Sequence, residues 1–218
     1  MDAKILIAQR VAQELKDGDL VNLGIGLPTL VAQFLPAGMR AFFQSENGLI
    51  GMQALAEKAA AFEDLTDAGG TPASFIPGAA AFDSVTSFGF IRGGHLDVTV
   101  LGGLQVDEAG QLANWMVPGK MVPGMGGAMD LVSGAKRVIV AMTHTAKGEA
   151  KIIRKCTLPI TSVRRVDLIV TDMAVIEPTA EGLVLKEVAP GTAIEDVMAA
   201  TEANLIIAAD IREMSLSA

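Results

Sequence analysis

Apolar residues recur at helical spacing from the start of the chain. Ile7, Val11 and Leu15 share one face, with Arg10, Gln13 and Glu14 between them, which predicts an amphipathic helix over 3–16. Asp17-Gly18-Asp19 ends it, and 20–23 reads as a short buried strand. Gly24-Ile25-Gly26-Leu27-Pro28-Thr29 then turns the chain into a second helix, where Pro28 is tolerated in the first turn. A strand over 40–44 follows and runs into Gln44-Ser45-Glu46-Asn47-Gly48. Helix, strand, helix, strand in fifty residues predicts a mainly parallel sheet with crossovers.

Further along, 66–78 is rich in Gly, Pro, Thr and Ala and reads as a surface loop. Asp83 or Ser84 caps a helix to Ile91 that Gly93-Gly94 terminates. The segment 96–101 is a strand. Asp107-Glu108-Ala109-Gly110 is a turn, after which 112–116 returns beside the preceding segment. An irregular stretch with two Pro-Gly pairs, 117–130, delivers the backbone to another helix start. Buried strands are expected over 137–142 and 167–171, a hairpin over 175–187 turning at Glu181-Gly182, and a helix over 193–202. No repeat, linker or composition break divides the 218 residues, so one α/β domain over 1–218, with helices flanking the sheet, is expected.

Composition narrows the class. Half the residues are hydrophobic and 19% charged, which is the make-up of a well-buried globular chain. Aromatics are only 4%, so aliphatics fill the core, including eleven Met residues suited to irregular gaps. The formal net charge of -8 argues against non-specific nucleic-acid binding and against a polybasic membrane patch. Cys156 is the single cysteine, so no internal disulfide and no zinc cluster is expected. No apolar run approaches the ~18 residues of a spanning helix. Met1-Asp2-Ala3-Lys4 opens a helix rather than a signal peptide, so a cytoplasmic protein is expected.

Glu46 is the sharpest chemical candidate, a carboxylate on a glycine-ended turn at the C-terminal end of a strand. Open α/β sheets place their chemistry there, and a glutamate in that position serves as base, metal ligand or covalent nucleophile. The plainer reading is a solvated surface residue. Gly24-x-Gly26 suits either phosphate approach at a helix start or mere packing, and a dinucleotide fingerprint is incomplete without a third glycine. Gly124-Met125-Gly126-Gly127-Ala128 allows close backbone approach before a helix, as an oxyanion hole needs or as a structural loop does. His95 and His144 form no triad, and each is either a base or a structural side chain. Arg154 and Lys155 precede Cys156, which either has a pKa depressed by them or is a bystander. Lys120 either steers an anion or is simply solvated.

Ser45-Glu46-Asn47-Gly48, Gly24-x-Gly26-x-Pro28 and Gly124-Met125-Gly126-Gly127-Ala128-Met129-Asp130 together resemble the β subunits of class I (3-oxoacid type) coenzyme A transferases. The blocks from Ser87 to His95 and from Leu101 to Asp107 are similar to that family as well, so the likeness covers nearly the whole chain. Within the family it is nearest to enzymes acting on acetate, butyrate and acetoacetate, with those using succinyl-CoA next. The resemblance implies a ribose-phosphate-isomerase-like α/β domain and an α-subunit partner, in a heterotetramer or larger assembly. It implies that Glu46 attacks the acyl-CoA thioester and that the amides of Gly127 and Ala128 stabilise the oxyanion. Gly24, Gly26, Asn47, Gly48, Gly124 and Gly126 are the implied substrate and CoA contacts. Coenzyme A enters as a thioester substrate, together with short-chain carboxylates, and neither a metal nor a permanently bound cofactor is implied. A sugar-phosphate isomerase or a sensing domain on the same fold is the remoter alternative.

Overall fold

The computed structural model describes residues 1–53, 62–119 and 124–216. Helix α1 (Ala3–Ala12) starts where the Asp2 carboxylate accepts the Lys4 N–H at 2.7 Å. Strand β1 (Leu20–Leu23) leads into the expected second helix, which is a 3₁₀ helix (Leu27–Phe34) with Pro at its start. Next come β2 (Phe42–Ser45), β3 (Leu49–Gln53), β4 (Phe62–Thr66) and β5 (Pro72–Ala81). Helix α2 (Ser84–Arg92) is capped by Asp83, which accepts the Thr86 N–H at 2.8 Å, and it stops at Gly93. Strands β6 (Val98–Leu101), β7 (Gln105–Asp107) and β8 (Leu112–Ala113) precede α3 (Ala128–Gly134). The rest comprises β9 (Arg137–Ala141), β10 (Thr145–Ala146), β11 (Glu149–Ala150), β12 (Ile152–Ile153), β13 (Leu168–Val170), β14 (Ala174–Pro178), β15 (Leu183–Val188), α4 (Ile194–Ala199) and β16 (Leu205–Glu213).

One 11-stranded sheet organises these elements, in the order β16-β15-β14-β13-β9-β6-β1-β2-β3-β5-β4. Its centre, β13-β9-β6-β1-β2, is parallel. Antiparallel strands extend it on both sides, through β14 beyond β13 and through β3 beyond β2. Side chains of the central strands alternate between two cores. Val138 and Val140 of β9 face one layer and Ile139 and Ala141 the other. The first layer is completed by α2, α3 and a small sheet of β12, β7 and β8; the second by α1 and the 3₁₀ helix. Each fully buried aliphatic side chain there contributes about 1.5–3 kcal/mol, which is why few aromatics suffice.

Residues 66–78 are not a loop. Only 67–71 connect β4 to β5, and β5 pairs with β3 over Ser74 and Phe75 and again over Ala80 and Ala81. Residues 76–79, with Pro77 and Gly78, bulge out opposite Gly51, so the proline interrupts no ladder hydrogen bond. Composition suggests a turn because the bulge contains turn residues.

A buried charge network ties α1 to the C-terminal strands. Arg10 donates from Nε and Nη2 to Glu187 at 2.6 and 3.1 Å, and from Nη1 to Glu14 at 2.7 Å. Arg212 adds donors to the same Glu187 oxygen. Burial alone would raise the pKa of Glu187, but hydrogen bonds from Arg10 and Arg212 hold it below the usual carboxylate value.

Candidate active site

The C-terminal ends of β1, β2 and β6 converge on one edge of the sheet, the place where parallel α/β sheets bind ligands. β2 delivers Glu46. The three residues 46–48 close the β2–β3 hairpin, with the Gly48 N–H donating to Ser45 O at 3.0 Å and Ser45 opposite Leu49. Gly48 has φ +114, and a Cβ there would lie 2.0 Å from the Phe82 carbonyl oxygen. Only glycine fits that corner.

The turn is held from below by buried amides. Gln44 Nε2 donates to Ser45 O at 3.0 Å and to Ser87 Oγ of α2 at 2.9 Å, while its Oε1 accepts from Asn22 Nδ2 at 2.8 Å. The Phe82 N–H donates to Gly48 O at 2.9 Å, so segment 82–87 grips the turn twice. Ser45 Oγ accepts the Ala68 N–H, and Asn47 Nδ2 donates to Thr66 O at 2.7 Å.

A loop 81 residues further along meets this turn. The Gly127 N–H donates to Glu46 Oε1 at 3.1 Å. A Cβ on Gly127 would sit 2.3 Å from Glu46 Oε2, so the approach requires glycine. The Ala128 N–H is directed to Met125 O at 3.3 Å, closing the turn that starts α3. Both residues and Glu46 line a cavity of ≈ 890 Å³. Its apolar side includes Leu23, Phe43, Met52 and Ala73, and its polar side includes Asn22, Gln44 and Asn114. Among the described lining residues there is no Lys, Arg or His.

The other sequence candidates divide cleanly. Gly24, Gly26, Gly124 and Gly126 line the cavity, although the Gly24 N–H is committed to Val100 O at 2.8 Å. Asn47 and Gly48 do not line it: the first is tied to Thr66 and the second packs on Phe82. Lys120 falls outside the described residues. His95 stands edge-on to Phe90 and His144 lies buried between Thr171 and Thr201, both away from the cavity. Burial lowers the His144 pKa to about 4, with Asp172 pulling the other way and Lys151 adding to the fall. Cys156 departs from the first of its two readings. Burial first, then the charge and hydrogen bonding of Asp107, push its thiol up to about 12 despite the neighbouring Arg154 and Lys155. Asn22, Gln44 and Trp115 join the cavity wall without standing out in the sequence; the pairing of Asn22 with Gln44 needs the β1–β2 register to become visible.

The sequence profile of one family, described as Coenzyme A transferase, matches residues 4–200. The chain is 57% identical over 212 residues to the beta chain of the acetate CoA-transferase of Escherichia coli (strain K12), covering 97% of each. It is 49% identical over 198 residues to one of the subunits of the succinyl-CoA:3-ketoacid coenzyme A transferase of Helicobacter pylori (strain ATCC 700392 / 26695), covering 90% of this chain and 95% of that one. Among solved structures, the acyl-CoA transferase YdiF apoenzyme from Escherichia coli O157:H7 is similar with a TM-score of 0.79 at 25% identity. That likeness covers 98% of this chain but 43% of YdiF, so this chain spans less than half of that polypeptide. Glutaconate coenzyme A-transferase from Acidaminococcus fermentans shares the fold, with a TM-score of 0.73 at 19% identity over 99% of this chain and 89% of that one.

Proposed function

The chain belongs to the coenzyme A transferase family, as the β subunit of such an enzyme, and from this we propose that Glu46 is the group on which CoA is carried. The observation that supports this most is the Gly127 N–H held 3.1 Å from Glu46 Oε1 at the wall of the cavity. The donor is bonded to an oxygen that gains negative charge when a thiolate adds to the Glu46 carboxyl carbon, and such a preorganised amide strengthens as that charge develops.

The chemistry balances without a redox step or a net proton. Glu46 Oε2 attacks the thioester carbonyl carbon of an acyl-CoA, the C–S bond breaks, and CoA thiolate leaves behind a mixed anhydride. The thiolate then attacks the Glu46 carboxyl carbon and expels the first carboxylic acid as its anion. Glu46 now holds a glutamyl-CoA thioester. The second carboxylate attacks that carbon and expels thiolate, which takes the new acyl group and frees Glu46. A hydrated carboxylate is a weak nucleophile, so the site must exclude water during this exchange. Gly127 serves Glu46 directly, and Ala128 becomes a second donor once its N–H leaves Met125 O.

Short-chain acids are the proposed substrates, acetate, butyrate or acetoacetate foremost, because the relatives above are named for acetate and for succinyl-CoA with 3-ketoacids. An α subunit completes the site in a heterotetramer or larger assembly, and the described cavity lining carries no cation for the CoA phosphates. CoA thioesters enter as substrate with no resident cofactor, the whole chain acts as one domain, and the setting is the cytoplasm. Among the described residues no helix is long and apolar enough to cross a membrane.

The test uses the assembled enzyme with acyl-CoA and no acceptor acid. A CoA-sized mass should appear on the peptide bearing Glu46 and be absent from Glu46→Ala, which should lose at least about 10⁴-fold in turnover. A label on another peptide, or normal turnover by Glu46→Ala, would end this reading.

A further inference from the structure

Trp115, the chain's single tryptophan, lines the cavity that holds Glu46, two residues beyond β8. Its indole Nε1–H is closed to solvent and has no hydrogen-bond partner among the described residues. A buried donor without a partner is costly and calls for an explanation. The residue before it is arranged differently. Thr161 Oγ1 accepts the Asn114 backbone N–H at 3.2 Å and donates to Asn114 Oδ1 at 2.6 Å. With Oδ1 as the acceptor, Asn114 Nδ2 is left as a donor without an acceptor among the described residues. Asn114 also lines the cavity. Asn114 and Trp115, just past β8, thus both line the cavity and each carries an N–H donor without an acceptor among the described residues, the enclosed indole N–H needing a turn of its ring to meet a ligand.

We infer that Trp115 Nε1–H binds an acceptor oxygen of the substrate. The inference rests on the proposed transferase function and deepens it by naming a substrate-binding residue outside the Glu46 and Gly127 pair. The oxygen belongs to one of three groups of the same chemistry: the carboxylate of the acid, the acyl carbonyl of the thioester, or an amide carbonyl of the pantetheine arm. In the unliganded protein the donor is a liability; with substrate in place it gains its partner. The indole already forms part of the wall, so an oxygen bound there is met by a side-chain adjustment rather than a backbone one. A buried donor of this kind discriminates, because a ligand lacking the oxygen leaves it unpaired.

Only one tryptophan is present, so ¹⁵N-indole labelling of this chain, followed by assembly with its unlabelled α subunit, gives a single Nε1–H resonance. Acetate, CoA and acetyl-CoA are added separately. A downfield displacement with acetate alone identifies the carboxylate, with CoA alone the pantetheine amide, and with acetyl-CoA alone the acyl carbonyl. A resonance unmoved by saturating amounts of all three overturns the inference. Trp115→Phe supplies the second measurement. Loss of a paired donor should lower kcat/KM about tenfold. The unliganded melting temperature should stay the same or rise, because an unpaired N–H has been removed. A lowered melting temperature with unchanged kcat/KM would make the role purely structural and also overturn it. Failure of the CoA adduct at Glu46 would defeat the proposed function, whereas an adduct with a motionless indole resonance defeats this inference alone.

Discussion

The Gly127 N–H reaches Oε1 of Glu46 at 3.1 Å, joining a hairpin turn and a helix-entry loop that lie 81 residues apart in the chain. The space at Gly127 is as important as its amide, since a Cβ there would come within 2.3 Å of Oε2. Gly127→Ala should therefore push the carboxylate aside and leave the fold intact, because the obstruction meets only the end of a side chain. Displacing a reacting group by about 1 Å costs on the order of 10²-fold. Single-turnover formation of the glutamyl-CoA adduct would measure it, and a wild-type rate would remove Gly127 from the mechanism.

Gly48→Ala should act on stability first. The new Cβ would sit 2.0 Å from the Phe82 carbonyl oxygen at φ +114, and backbone cannot yield as a side chain does. Destabilisation of about 2–3 kcal/mol is expected. A urea midpoint indistinguishable from wild type would contradict the described turn.

His144 makes stability depend on pH. Its folded pKa is lowered to about 4 from 6.5, chiefly by burial. Between those values the unfolded chain holds the extra proton, so the contribution is complete above pH 6.5 and lost as pH falls toward 4. Roughly 2 kcal/mol should disappear between pH 7 and 5. Denaturant unfolding across that range should show the slope, and His144→Asn should flatten it. An equal slope in the variant would assign the loss to other groups.

Cys156 should resist alkylation. Moving a thiol from 9.0 to about 12 lowers the thiolate fraction at pH 8 roughly a thousandfold. Iodoacetamide at pH 8 should label the chain rapidly only after denaturation, as read by intact mass. Prompt labelling of the native protein would show that the thiol is less enclosed than its contact with Asp107 implies.

Much of the fold is legible because its central strands are short apolar runs closed by turn residues. β1 lies where the pattern puts it, and Asp83 caps α2 as its position before an apolar stretch suggests. The hairpin expected over 175–187 is present as antiparallel β14 and β15, but the antiparallel extension beyond β2 is not legible. The bulge at 76–79 concentrates Pro77 and Gly78 inside β5, and local composition cannot separate a bulged strand from a loop. β16 escapes as well, since its exposed Ile206 and Ile207 follow neither helical nor alternating burial at the edge of the sheet. At the site, Glu46 and Gly127 stand out through turn chemistry and family resemblance. Asn22 and Gln44 do not, because an amide inside a strand looks ordinary until register sets it against another amide. Cys156 misleads because its sequence neighbours are cationic, whereas its half-buried thiol faces an aspartate.

The double attachment of the Glu46 turn to segment 82–87 makes it answer to events on the far side of α2. Phe82 grips Gly48 through the backbone and Ser87 grips Gln44 through a hydroxyl, so turn and helix travel as a unit. Val85 at the head of that helix is 82% exposed. From that shoulder only two hydrogen bonds, Phe82 to Gly48 and Gln44 to Ser87, separate the surface from the corner that bears the attacking oxygen.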